Sequence, residues 1–175
     1  MKVTGYEITR RLRELQEERD ITQERFSSGL SVYPSMRDKV VATPKELSLS
    51  VLSLEAQIAL LQTIQNEYNL TVIVAVEGVT MSLAQAIKTV GGLGRVSKLW
   101  RNTARPTKEA RRWVSTERSL DNGNPTTEDL EPFYDPLVSI QEHHTLERTL
   151  GHFRAAIQTA NSQQVEMAVP DGLLV

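Results

Sequence analysis

The sequence predicts an α+β fold that is mainly α: a long antiparallel helical hairpin, two shorter helices and a small β element. Three observations carry this prediction. Thr43-Pro44-Lys45-Glu46 places a capping residue, a proline at the first helical position and a glutamate at the third, ahead of a long apolar stripe. Residues 70–76 (Leu-Thr-Val-Ile-Val-Ala-Val) then switch to β-branched side chains. Aromatic residues make up only 5% of the 175, so the core is built from Leu, Ile, Val and Ala, a palette suited to helix-on-helix packing.

The elements follow in order within one expected domain, 1–175. Residues 5–27 read as a polar helix with a narrow seam of Ile8, Leu12, Leu15 and Arg19. Six basic and six acidic residues between Lys2 and Arg25 balance its charge. Two readings of that helix stand side by side: a solvated face laced with i,i+4 pairs, or a helix that pairs with a partner along the seam. Ser27-Ser28-Gly29 ends it, and a loop over 30–42 follows. The second helix runs from the Thr43 box to about residue 69, with Leu47, Val51, Leu54, Ile58, Leu61 and Tyr68 inward and Leu60 and Ile64 widening the face. Together they form the hairpin, 5–69.

The 70–76 strand is apolar on both faces, so it is expected to be buried on both sides or paired inside an assembly. Glu77-Gly78 turns the chain. Ser82-Leu83-Ala84-Gln85 opens a third helix, 82–101, with Leu83, Ala86, Ile87 and Val90 inward. Gly91-Gly92-Leu93-Gly94 is expected to kink it or to mark close packing. Residues 102–140, with Pro106, Gly123, Pro125, Pro132 and Pro136, read as an extended charged arm. A fourth helix spans 141–160 on Leu146, Leu150, Phe153 and Ile157. A closing strand, 164–169, alternates Val165, Met167 and Val169 and is expected to pair with 70–76, since a lone strand leaves its backbone unpaired.

Three stretches then point to a family. They are Leu54-Glu55-Ala56-Gln57-Ile58 through Ile64-Gln65 and Asn69-Leu70-Thr71; Met81-Ser82-Leu83-Ala84-Gln85-Ala86-Ile87; and Arg112-Trp113-Val114 with Ala156-Ile157-Gln158-Thr159-Ala160-Asn161. Over roughly residues 50–168 the chain resembles the septicolysin-like family of small uncharacterised bacterial and phage helical proteins. The resemblance implies a helical hairpin with a small β element and lends support to a virion or assembly role. It implies no activity and no functional residue. The long 102–140 connection and the Gly91 to Gly94 cluster depart from the family pattern.

The sequence carries no positive case for catalysis. Cysteine is absent, which removes disulfides, thiol nucleophiles and Cys-ligated metals. The glycine cluster is not a phosphate loop, because Gly94 is followed by Arg95-Val96 rather than Lys-Ser, and Ser97 stands where a dinucleotide fingerprint needs glycine. No G-x-S-x-G elbow occurs. Glu77 reads as a turn residue rather than an acid–base group. His143, His144 and His152 all fall on the fourth helix, where Glu142-His143-His144 lacks the H-E-x-x-H spacing, so a metal-dependent enzyme around His143, His144 and Glu147 is a lesser alternative. No cofactor and no metal ligand set is expected.

Charge is segregated although the net charge is −2. Residues 95–118 hold eight basic residues against two acidic, a net of +6, with Trp100 and Trp113 among them. Residues 121–147 hold seven acidic residues and no Lys or Arg. The near-equal opposite totals favour mutual neutralisation within or between subunits over phosphate binding. The expected function is therefore a non-enzymatic, self-associating structural or assembly protein, with a phage capsid or tail accessory component as the leading instance. Its expected partners are itself and other assembly proteins. The alternative is a nucleic-acid-binding module using the basic 95–118 segment, with Arg101, Arg105, Lys108, Arg111, Arg112 and Trp113 as candidate interface or phosphate contacts. The N-terminus lacks a signal-like apolar run and no stretch reads as a membrane span, so the expected location is the cytoplasm, or a virion if phage-encoded.

Overall fold

The computed structural model describes residues 1–35, 42–104 and 135–174. The order of elements is β1 (Lys2–Val3), α1 (Gly5–Ser28), α2 (Pro44–Thr71), β2 (Ile73–Val76), β3 (Val79–Ser82), α3 (Leu83–Ala104), α4 (Pro136–Asn161) and β4 (Val165–Glu166). The mainly α fold with a small β element is the one the sequence predicts.

Local chemistry sets each helix start. Thr4 and Thr43 head full capping boxes, with Glu7 and Glu46 returning to the cap backbone N–H groups at 2.8 Å. Both carboxyls sit below the ordinary glutamate value, because the cap backbone N–H and hydroxyl groups donate to them. Ser82 Oγ accepts from Gln85 N–H at the start of α3. Asp135 caps α4 with Pro136 at the first helical position, so this helix begins five residues before the expected 141.

α1 and α2 form the antiparallel hairpin: Thr9 near the start of α1 meets Gln65 late in α2, and Arg19 further along α1 meets Glu55 earlier in α2. Ile8, Leu12 and Leu15 are buried against Leu54, Ile58, Leu61 and Ile64. The narrow α1 seam thus has its partner inside the chain. α3 and α4 pack as a second pair, with Leu83, Ala86, Leu150 and Phe153 buried.

The two pairs meet at Tyr68, which is fully buried in the last turn of α2. Its hydroxyl lies 2.8 Å from the carbonyl oxygens of Ala160 and Gln163 at the end of α4. A Cβ on Gly5 would stand 2.9 Å from the Tyr68 ring and 2.4 Å from Asn161 Oδ1, so glycine lets the start of α1 close on both. Burial pushes the Tyr68 hydroxyl above its ordinary pKa, against a smaller pull from the Gly5 backbone.

Several expectations are corrected. The 164–169 strand does not pair with 70–76. β4 pairs with β1 (Lys2 with Glu166, Val3 with Val165), and β2 pairs with β3 in a tight hairpin. The hairpin wins because Glu77 (φ 51°) and Gly78 (φ 83°) both take the left-handed conformation of a two-residue turn, which brings the next four residues back at once. The strand is shorter than 70–76, since α2 continues through Thr71, and it is not buried on both faces: Val74 and Val76 point inward while Ile73 and Ala75 are exposed. The glycine cluster does not end α3, which runs unbroken to Ala104, and it does not mark close packing at Gly92 or Gly94, where a Cβ would meet nothing among the described residues. Ile87 and Leu60, expected inward, are exposed. Helix also takes both ends of the expected 102–140 arm, with Asp135 capping the second, and residues 105–134 lie outside the described residues.

Tyr68→Phe keeps the ring and removes the hydroxyl shared with two carbonyls. It is expected to lower stability by about 1–3 kcal/mol in chemical denaturation, the cost of leaving a buried carbonyl unsatisfied. An unchanged unfolding midpoint would show that the hydroxyl does not hold the helix ends together.

Candidate functional site

Two features stand out from the packed core. The first is a polar node between α3 and α4. Ser97 sits mid-helix and is 2% exposed. Its hydroxyl donates to Glu147 Oε1 at 2.6 Å and lies 2.9 Å from His143 Nδ1. The single hydroxyl proton goes to the carboxylate, the stronger acceptor, so the His143 Nδ1–H donates to Ser97 Oγ. The Ser97 hydrogen bond is the main cause holding the Glu147 carboxyl below the ordinary range, with Arg154, His143 and Arg101 adding weaker attraction.

The residue types are those of a serine hydrolase, but the wiring differs. A nucleophilic serine needs a histidine that accepts its proton and a carboxylate behind that histidine. Here both partners converge on the serine oxygen, and that oxygen is enclosed. The arrangement fixes the register of α3 on α4. Sequence reasoning misses Ser97 because its partners lie 46 and 50 residues away. His144 is exposed, and its ring stands 5.8 Å from that of His143. His152 pairs instead with Glu77 at 2.8 Å, fastening the β2–β3 turn to α4. Among the described residues no group of three or more His, Cys, Asp or Glu side chains converges as a metal site.

Of the candidate contacts in the basic segment, Arg101 is exposed in the last turn of α3. Arg105, Lys108, Arg111, Arg112 and Trp113 lie outside the described residues.

The second feature is the outer face of α2. The helix is apolar nearly all round, and only its inner face meets α1 and the rest of the core. Leu49 (57%), Leu52 (66%), Leu60 (42%) and Leu70 (65%) stand exposed, along with Ala56 and Ala59. Further exposed apolar residues, Leu30, Val32 and Tyr33, lie beyond α1. Near the far end of the hairpin, Phe26, Val51 and Leu52 line a shallow groove with Gln23, Ser27 and Ser48. Contrary to the sequence expectation, α2 is long and apolar enough to cross a membrane by length and composition, because its Ser, Thr and Gln residues dilute the apolar run without charging it. Such a helix is also what a two-sided protein contact requires.

No protein-family model matches the chain, and no curated protein matches it in sequence. Its fold is similar to a crystal structure described as a functionally unknown conserved protein from Corynebacterium diphtheriae, at a TM-score of 0.68 and 14% identity, over 95% of this chain and 100% of that one. That likeness shows a shared fold.

Ser97→Ala removes both hydrogen bonds of the node, the one to Glu147 and the one from His143, and is expected to cost about 1–2 kcal/mol at neutral pH, since the carboxylate partner is half-exposed. A carboxyl whose folded pKa is depressed stabilises the fold above its unfolded value, and that contribution is lost as pH falls through the folded value. The gap between wild type and Ser97→Ala should therefore narrow as pH drops through 4.5, the ordinary glutamate value, and below. Denaturation midpoints measured from pH 7 downward check this. A constant gap would remove Glu147 from the node.

Proposed function

We propose that the chain is a non-enzymatic, self-associating assembly protein that buries the outer face of α2 against another subunit. The observation that supports this is the exposed apolar face itself, which no element among the described residues covers. Four leucines on one helix are between 42 and 66% exposed, opposite a stripe that is fully packed. Isolated exposed leucines are ordinary, but an aligned row along a 28-residue helix is the pattern of an interaction surface. The sequence alone places the contact on the 70–76 strand, on the apolar helix seams and on the charged arms. β2 is already paired with β3, so the contact moves to α2. A place in a phage virion is the instance suggested by the septicolysin-like resemblance.

A second reading, nucleic-acid binding through the basic segment, is favoured by Arg95, Lys98 and Arg101, all exposed on α3. Glu147 sets a negative charge near Arg101, which weakens that surface for phosphate.

Light scattering of the full chain across 1–100 µM, at low and high salt, tests the proposal. The expected result is a defined oligomer that persists at high salt, since burial of apolar surface is not screened. A monomer throughout would overturn it. An oligomer that dissociates in high salt would return the contact to the charged segments.

A further inference from the structure

α2 carries four charged residues, Lys45, Glu46, Glu55 and Glu67. Two are used within the chain: Glu46 closes the Thr43 capping box and Glu55 meets Arg19 at 3.3 Å. Lys45 and Glu67 are exposed and have no ion-pair partner among the described residues. They are opposite in sign, and they lie on the same side of the helix as the exposed leucines.

The helical repeat makes this a single stripe. At about 100° per residue, Lys45, Leu49, Leu52, Ser53, Ala59, Leu60, Thr63 and Glu67 all fall within about 60° of the direction of Ala56. Every one of them is exposed. From Lys45 to Glu67 the stripe is also symmetric about Ala56, with Leu70 in the same sector just beyond it. Leu52 and Leu60 stand at equal distances on either side, as do Leu49 and Thr63, Ser53 and Ala59, and finally Lys45 and Glu67.

We propose that this stripe is the contact surface for α2 of a second copy of the chain, antiparallel and two-fold symmetric about Ala56. In that arrangement Leu52 meets Leu60 of the partner subunit, and Lys45 meets Glu67 of the partner subunit. Both contacts occur twice, as an isologous interface requires. Ala56 meets its own copy on the axis, where the small side chain lets the backbones approach. A parallel pairing in register would set Lys45 against Lys45 and Glu67 against Glu67, so charge selects the antiparallel orientation. This inference rests on the self-association proposed above and names its surface, orientation and partner.

The test is a charge-swap series on the full chain, read as dimer Kd by analytical ultracentrifugation. Lys45→Glu and Glu67→Lys are each expected to weaken the dimer several-fold, because each turns two attractive contacts into repulsive ones. The double variant restores attraction and should return within about two-fold of wild type. Ala56→Arg places two like charges on the axis and should abolish the dimer at 100 µM. These side chains are exposed, so unchanged circular dichroism verifies folding. Self-association that is indifferent to all four variants would overturn the stripe while leaving self-association standing. Wild type that stays monomeric at 100 µM would overturn both. If that monomer binds phosphatidylcholine vesicles and Ala56→Arg does not, the face belongs to lipid and the pairing is overturned.

Discussion

Tyr68 is the contact on which the rest of the structure depends. Three helix ends meet around its ring and hydroxyl: the start of α1 at Gly5, the last turn of α2, and the end of α4 at Ala160 and Gln163. Helix ends carry carbonyls with no partner inside the helix, and burying them unpaired is costly. One hydroxyl answers that need for α4 while its ring fills the space between the two helix pairs. The ribbon of β1 and β4 closes the same end, where the Met1 amine and carbonyl bond to Met167. Tyr68 therefore sets which face of α2 turns inward, and by the same act which face is left to solvent.

That division has consequences for function. The fold is two helix pairs with thin ribbons between them, so each helix offers one stripe to the core. For α1 this largely suffices, because most of its remaining surface is charged and only Tyr6 and Ile21 stand out as exposed large apolar side chains. For α2 it does not, because apolar residues continue around the helix onto the side facing away from Tyr68. The hydrophobic effect that drives α2 against α1 acts equally on its outer leucines, which no second surface among the described residues covers. Lys45 and Glu67, the charges on α2 that join neither a capping box nor an ion pair among the described residues, stand with opposite sign at the two ends of the stretch that holds Leu49, Leu52 and Leu60, with Leu70 beyond Glu67. Ser97, His143 and Glu147 serve the other pair, where they lock α3 against α4 and leave α2 out of their network.

Much of this architecture is legible in the sequence because its signals are local. The Thr43 capping box, the Glu77-Gly78 turn and the seams of α1 and α4 depend on residues within one or two turns of each other. The losses occur where distant segments compete. Val79 to Ser82 is too short and too mixed to read as a strand, which leaves 164–169 as the partner that sequence offers to 70–76. The glycine cluster in α3 carries a strong helix-breaking signal, yet the helix, packed against α4, continues through it to Ala104. Ser97 gives no signal at all, since its role exists only once α4 lies beside it. Leu60 shows the same limit from the other side: on a helix apolar all round, spacing alone does not say which leucines face the core, and the inner stripe is decided by Tyr68.

The chain has no cysteine, which allows a direct test of the central claim that a second copy of α2 packs antiparallel across Ala56. A single Ala56→Cys substitution puts one thiol on the proposed two-fold axis, within the Cα separation of about 4.4–6.8 Å that a disulfide requires. Under mild oxidation at tens of micromolar the account predicts rapid formation of a covalent dimer, and slow formation for Gln62→Cys, which lies off the stripe on the same helix. Equal rates for the two variants, or no covalent dimer from Ala56→Cys, would contradict it.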